Sequence, residues 1–171
     1  MNTFDLKIID SDEIPFAPMT KESGMVVQQI WIDGIHLAEP HMVSVSELVR
    51  SLDGSGFGDF YIFTCKCGMP ECDRIYEGIK VSHVSGKILW NFRRPVSEPD
   101  TDLPEDEALE LRLSTSKLVE YEFDRDQFIQ AMDKALRELK SKPENSAYSP
   151  YGFTRKHLDA LNVIGRPVPK P

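Results

Sequence analysis

Three cysteines, Cys65, Cys67 and Cys72, stand within eight residues of one another, and the chain has no other cysteine. Thiolates bind zinc, act as nucleophiles and form disulfides, so this stretch has the side chains for chemistry. A structural zinc ion takes four ligands in a tetrahedron, usually thiolates and imidazoles. Gly68 gives the backbone the freedom for a tight turn, and Pro70 stiffens the return to the third thiol. The spacing therefore predicts a zinc-knuckle loop.

The predicted fourth zinc ligand is His83, which follows the last cysteine by 11 residues. It lies on a predicted strand and shares a face with Ile79 and Val81, where a polar ring needs a partner. Glu71 and Asp73 are nearer, but carboxylates suit a thiolate-rich zinc site less well. Three thiolates and one imidazole would close the coordination shell, so the predicted role of the ion is structural. The alternative for His83 is an ordinary hydrogen-bonded core residue.

Two further interpretations of the cysteines remain open. In the first, Cys65 and Cys67 form a disulfide, or one thiolate serves as a nucleophile. The sequence lacks the Cys-x-x-Cys pair at a strand-to-helix junction that is typical of redox proteins. In the second, the three are free cysteines that pack as small apolar residues. Such tight clustering in a chain without other cysteines favours zinc over both.

Other candidate sites are weaker. His36 and His41, with Glu39 between them, offer metal ligands, but they fall in a predicted surface loop, where histidines are common. The acidic residues 98–110 lack the ligand spacing of a calcium loop. The glycine-rich residues 53–59 lack the lysine and the strand-to-helix setting of a phosphate loop. The sequence therefore offers no second catalytic constellation.

The negative charge of the chain is concentrated in one stretch. Residues 95–111 contain seven acidic residues and no lysine or arginine, and they carry most of the net charge of −8. Pro95, Pro99 and Pro104 disfavour regular structure, which predicts an acidic, proline-rich loop over 95–107. Loops of this kind are usually solvated surface. The alternative is an acidic surface offered to a basic partner, where charge complementarity would speed association.

The hydrophobic pattern predicts the elements that position these residues. Alternating or continuous apolar runs predict strands over residues 3–9, 25–37, 60–64, 78–92, 108–114 and 117–123. Asp33-Gly34 and Ser85-Gly86 predict hairpin turns within two of these runs. Helices are predicted over residues 44–52, 125–141 and 154–161, followed by an extended tail over 164–171. The predicted fold class is α+β: a twisted antiparallel sheet built from hairpins, with the amphipathic helix 125–141 packed on it.

Length and composition set the broad class. The chain has 171 residues, of which 40% are hydrophobic and 28% charged, as in globular domains, and the length predicts a single domain over 1–171. The net negative charge argues against nucleic acid or anionic lipid as the main partner. No apolar run has the length of a membrane span, and the first 16 residues do not read as a secretory signal. We therefore expect a cytoplasmic protein.

The segment 63–92, which reads FTCKCGMPECDRIYEGIKVSHVSGKILWNF, resembles a loose class of small bacterial proteins. These carry a Cys-x-Cys-Gly-x-x-x-Cys loop, a following glycine and a hairpin with a tryptophan. The resemblance implies a bacterial protein in which Cys65, Cys67, Gly68 and Cys72 act as one unit. In size and acidity the chain is also similar to immunity proteins, which neutralise a toxin by binding it.

These observations predict a non-enzymatic protein-binding domain that a structural zinc ion stabilises. An immunity protein that binds a basic toxin domain is its most concrete form. The alternative is a thiol- or zinc-dependent enzyme that uses the Cys65, Cys67 and Cys72 loop, in which water takes the fourth zinc position.

Overall fold

The computed structural model describes residues 1–10, 26–37, 41–53, 58–65, 68–142 and 159–166. Its strands are β1 Phe4–Asp10, β2 Val26–Ile32, β3 Ile35–Leu37, β4 Met42–Val43, β5 Gly58–Phe60, β6 Phe63–Thr64, β7 Ile79–Val84, β8 Lys87–Arg94 and β9 Lys117–Asp124. Its α-helices are α1 Val45–Arg50, α2 Glu105–Thr115 and α3 Arg125–Ser141, and Pro70–Asp73 forms a short 3-10 helix. All paired strands run antiparallel, in the orders β1-β2-β3, β4-β6 and β5-β7-β8-β9.

Both predicted hairpins form, with the predicted turns. Asp33 and Gly34 have φ values of 52° and 76°, and Ser85 and Gly86 have 48° and 79°. Two consecutive residues in the left-handed region match the right-handed twist of the flanking strands. The Asp33 carboxylate also accepts hydrogen bonds from Asn2 Nδ2 and Thr3 N at 2.7 Å each, so the first turn also anchors the start of β1.

Helix α3 supplies one wall of the core. The Asp124 carboxylate accepts a hydrogen bond from Gln127 N at 2.9 Å and caps the helix, as its sequence predicts. The buried stripe of α3 contacts β1, β8 and β9. Trp90 of β8 and Phe123 of β9 pack edge-on against each other, with ring centroids 5.3 Å apart, and both touch Phe128 of α3. The mixed α+β class with antiparallel sheets and the 125–141 helix is therefore confirmed.

Two predicted strands were wrong. Residues 60–64 do not form one strand, because the chain turns at Tyr61, where Ile62 N donates to the Phe60 carbonyl at 2.9 Å. Strands β5 and β6 thus belong to different sheets. Residues 108–114 lie in helix α2, which begins at Glu105, inside the stretch predicted as an acidic loop. The predicted helix over 154–161 and the tail over 164–171 lie largely outside the described residues.

Candidate functional site

The cysteine loop leaves the two-stranded sheet of β4 and β6. Cys65 follows β6 directly, and its side chain is buried, with 5% exposure. It is disulfide-bonded, which was one of the alternatives that the sequence left open. Gly68 closes the turn: its N–H donates to the Cys65 carbonyl at 2.9 Å, with a φ of 84°. Cys67 lies outside the described residues.

The loop returns through the 3-10 helix Pro70–Asp73, which carries Cys72 as a free, exposed thiol. Two main-chain hydrogen bonds close this helix, from Arg74 N to the Glu71 carbonyl at 3.0 Å and from Ile75 N to the Pro70 carbonyl at 3.1 Å. Arg74 has a φ of 54°, which turns the chain toward β7. Hydrogen bonding holds the position of Cys72 even without a ligand.

His41, which the sequence analysis did not connect with the cysteines, contacts the end of this loop. The His41 ring contacts Asp73 Oδ2 through Nδ1 at 3.1 Å and Ser97 Oγ through Nε2 at 3.2 Å. A ring with its proton on Nδ1 donates to the carboxylate and accepts from the hydroxyl through Nε2. Its side chain is only 7% exposed. His41 therefore ties the residue after Cys72 to the segment that follows β8.

The segment after β8 holds the loop from a second side. Glu98 N donates to the Arg74 carbonyl at 3.2 Å, and Arg74 Nη1 donates to the Pro99 carbonyl at 3.1 Å. The cysteine loop is thus fixed by β6 at its start, by His41 and by residues 97–99 at its end. Its fold brings together three parts of the chain that are far apart in sequence.

His83, the predicted fourth ligand, lies near the end of β7 and contacts the residue that follows α1. It is four residues, or about 13 Å, further along β7 than Ile79, toward the Ser85-Gly86 turn. Its Nε2 donates to the Ser51 carbonyl at 2.8 Å, and its Nδ1 is buried without a hydrogen-bond partner. Burial lowers the pKa of the His83 ring; the nearby Arg125 adds to this effect and the Ser51 hydrogen bond opposes it.

The other candidate ligands are not gathered either. His36 stacks on Trp31, with ring centroids 5.4 Å apart, and Glu39 lies outside the described residues. Among the residues that the structure describes, no group of three or more His, Cys, Asp and Glu side chains could hold a metal ion. A disulfide-bonded Cys65 cannot ligate zinc, since zinc binds thiolates. The donor set therefore fits zinc only in the reduced protein.

Helix α2 forms an acidic surface with apolar sides. Only Ala108 and Arg112, one turn apart, are buried, and they hold the helix to the body. At ~100° per residue, Asp106, Glu107 and Glu110 project on the opposite, outward side. Three leucines with 39% exposure each lie between the two sides: Leu109, Leu111 and Leu113.

Arg112 joins this surface to the cysteine-loop end of the sheet. Its Nη2 donates to the Val96 carbonyl at 3.2 Å and lies 3.5 Å from Glu77 Oε2, and its side chain is 3% exposed. Helix α2 and the cysteine loop therefore contact neighbouring residues of one segment: Arg112 of α2 binds Val96, and His41, which contacts the loop, binds Ser97.

No family model, curated protein or solved structure matches the chain. No helix among the described residues has the length and apolar character to cross a membrane.

Proposed function

We propose that this protein is a non-enzymatic binding domain whose α2 surface docks a basic protein, with a structural zinc ion that stabilises the cysteine loop. The observation that carries the proposal is the outward face of α2. Its acidic side chains are flanked on the two sides of the helix by three exposed leucines.

Charge and apolar area have separate parts in such a surface. Acidic groups attract a basic partner over a Debye length, ~8 Å at physiological salt, and raise the association rate. Leucines that become buried supply affinity, because each fully buried side chain contributes roughly 1.5–3 kcal/mol. Leu118, which is 62% exposed at the start of β9, extends the apolar area next to the end of α2.

The partner that fits is a basic domain, and an immunity protein neutralising a toxin is the most specific form of the proposal. A preformed surface loses little conformational entropy on binding. In support, α2 is fixed to the body by the buried Arg112. The acidic first turn, Glu105 to Glu107, also suits the positive end of the helix dipole, so the acids stabilise the surface that displays them.

The experiment is co-expression of the tagged chain with the products of the genes that flank its own, followed by affinity measurement on any complex. The test variant carries Leu109→Ala, Leu111→Ala and Leu113→Ala, which keep helix propensity. The matched control is Ile35→Ala, at an exposed apolar residue that begins β3.

We expect a basic partner, binding that weakens as salt rises, and at least a tenfold loss of affinity in the α2 variant but not in the control. Equal affinity of the two variants, or no complex with any flanking gene product, would contradict the proposal.

The alternative, an enzyme, has one structural observation in its favour. Ser97, His41 and Asp73 form a hydroxyl–imidazole–carboxylate chain, the type of contact that activates a nucleophile. The exposed thiol of Cys72 is a second nucleophile near the same carboxylate. Stoichiometric labelling of Ser97 by a fluorophosphonate, or rapid alkylation of Cys72 at neutral pH, would favour this alternative.

A further inference from the structure

We propose that the open edge of β9, residues 117–121, accepts an extended segment of the basic partner as an added strand. The proposal rests on the proposed function and names how the partner binds, since hydrogen bonds to β9 would add to the contacts with α2. Recognition by strand addition takes its affinity from main-chain hydrogen bonds and its specificity from alternate side chains.

Strand β9 lies at one end of the four-stranded sheet β5-β7-β8-β9. It pairs with β8 without a bulge from Lys117 to Asp124, and its eight residues contain no proline. Native sheets usually blunt an edge with a short strand, proline, a bulge or a covering element. The opposite edge of this sheet, β5, is blunted in this way, because it has only three residues. Strand β9 is therefore the better template for a further strand.

The hydrogen bonds of Glu122 show which main-chain groups face the edge. Its carbonyl accepts from Asn2 N at 2.6 Å and its N–H donates to Asn2 Oδ1 at 2.9 Å, on the side away from β8. Successive residues of a paired strand turn these groups to opposite sides, so Glu120 and Leu118 present theirs to the same edge as Glu122. Among the residues that the structure describes, none hydrogen-bonds the main chain of Leu118 or Glu120 at this edge.

The chain itself already occupies the other end of this edge. Asn2 forms a parallel bridge with Phe123, which shows that a second segment can lie beside β9. This bridge leaves residues 117–121 uncovered. Lys117, Leu118 and Glu120 are exposed, and the exposed fraction of Leu118 is 62%. A short extended segment therefore has room to pair with the open edge.

The side chains of the open edge select a basic segment. Glu122 is paired with Lys87 at 2.7 Å, whereas the Glu120 carboxylate has only a 3.5 Å contact with the Asn91 amide. A residue opposite Glu120 in an added strand would have its Cβ about 4.5–5.5 Å away. Lysine or arginine at that position pairs with Glu120, and an apolar residue two positions along packs on Leu118.

The open edge is continuous with the α2 surface. Helix α2 ends at Thr115 and β9 begins at Lys117. Leu113 and Leu118 are exposed on the two sides of this junction. A partner that contacts α2 therefore reaches the open edge as well. A second copy of this chain fits less well, because each copy carries a net charge of −8.

Binding of a synthetic peptide of alternating lysine and valine to the full-length chain tests the proposal. A peptide of alternating glutamate and valine is the charge control. The test variant is Leu118→Pro, which removes an edge-facing N–H but no hydrogen bond to β8, and proline is tolerated in an edge strand. The matched control is Leu118→Ala, which loses the same side chain but keeps the N–H. Circular dichroism monitors folding, and NMR measures the exchange of single amide protons.

We expect the lysine peptide to slow the exchange of the Leu118 and Glu120 amides and to bind more tightly than the glutamate peptide. Leu118→Pro should bind the lysine peptide about tenfold more weakly than Leu118→Ala, because one hydrogen bond is lost. If Leu118→Pro fails to fold, the amide exchange of the unaltered chain decides.

Unchanged exchange at Leu118 and Glu120, equal affinities of the two variants, or equal binding of the two peptides would overturn the proposal. So would a dimer of the peptide-free chain that Leu118→Pro dissociates, since a second copy would then occupy the edge. These results would leave the docking of a basic protein on α2 in place. Failure of that docking is a separate result, the absence of a complex on co-expression.

Discussion

At the scale of single residues, two histidine rings, His41 and His83, each join parts of the chain that are far apart in sequence. The sequence marked the cysteine cluster because the three thiols are close neighbours in the chain. It did not connect His41 with the cysteine loop, because the partners of that ring, Asp73 and Ser97, are 32 and 56 residues away. It singled out His83 because alternation placed that ring on an apolar face, where its Nε2 donates to the Ser51 carbonyl. Local patterns cannot distinguish a ligand from a hydrogen-bonded core residue.

The first prediction at this scale concerns pH. Burial lowers the pKa of His83 below its ordinary value of 6.5, so below that pH the unfolded chain binds this proton more readily than the folded chain. The contribution of His83 to stability is therefore full above pH 6.5 and is lost as the pH falls from 6.5 toward the folded-state pKa. The free energy of unfolding should decline more steeply over this window in the unaltered chain than in His83→Gln.

Urea denaturation from pH 8 to pH 5 measures this difference. His83→Gln keeps a donor for the Ser51 carbonyl but does not titrate, so it serves as the control. Parallel pH profiles for the two proteins would show that the protonation of His83 is not coupled to folding.

A second prediction concerns Arg112, which holds α2 in place. Arg112→Ala leaves the Val96 carbonyl without its donor and removes a part-buried contact with Glu77, so it should lower the free energy of unfolding by about 2 kcal/mol. The control is Lys87→Ala, which breaks an exposed ion pair with Glu122 and should lower the free energy of unfolding much less, because exposed ion pairs contribute little. Urea denaturation compares the two. A cost for Arg112→Ala no larger than that of the control would contradict the role of this side chain.

At the scale of elements, the structure separates reliable patterns from ambiguous ones. The hairpins and α3 were predictable because turn residues, caps and periodicity agreed. Helix α2 was missed because Leu109, Leu111 and Leu113 alternate as in a strand. The residues of this segment are nevertheless good helix formers, and the buried pair Ala108 and Arg112 has helical spacing. The leucines alternate because they occupy both sides of one helix.

A third prediction belongs to the pairing of β5 with β7. A Cβ at Gly78 would lie 2.8 Å from both Asp59 Cβ and Phe60 N, and neither atom can move without shifting β5. Gly78→Ala should therefore lower the free energy of unfolding by roughly 1–3 kcal/mol. Gly58→Ala is the matched control on the partner strand, because nothing lies within 4 Å of its Cβ position. Similar urea midpoints for the two variants would show that β5 adapts to the added methyl group.

At the scale of the whole molecule, the class was predictable and the arrangement of the sheets was not. Sequential hairpins indicated antiparallel pairing, and the α3 stripe indicated a helix packed on a sheet. The division into three sheets depends on the turn at Tyr61, and a bridge from Asn2 to Phe123 links the start of β1 to β9. Neither feature has a periodic signal in the sequence.

The architecture also joins the two proposed features. The segment after β8 supplies Ser97 to His41, and its neighbour Val96 accepts the hydrogen bond from Arg112 of α2. An ion that rigidifies the cysteine loop would therefore also stabilise the base of the acidic surface. We predict that loss of the metal weakens partner binding, which affinity measurements with and without a chelator would test. Unchanged affinity after metal removal would show that the two features are independent.

The most direct test of the account is the metal content and thermal stability of untagged, reduced protein. Native mass spectrometry should find one zinc ion per chain. Removing it with a chelator should lower the melting temperature by about 10 °C, the shift expected for roughly 4 kcal/mol in a chain of this size. The variants Cys67→Ser and Cys72→Ser should lose the ion and melt at the chelated temperature. Metal-free protein in every preparation, with a melting temperature that a chelator does not change, would contradict the account.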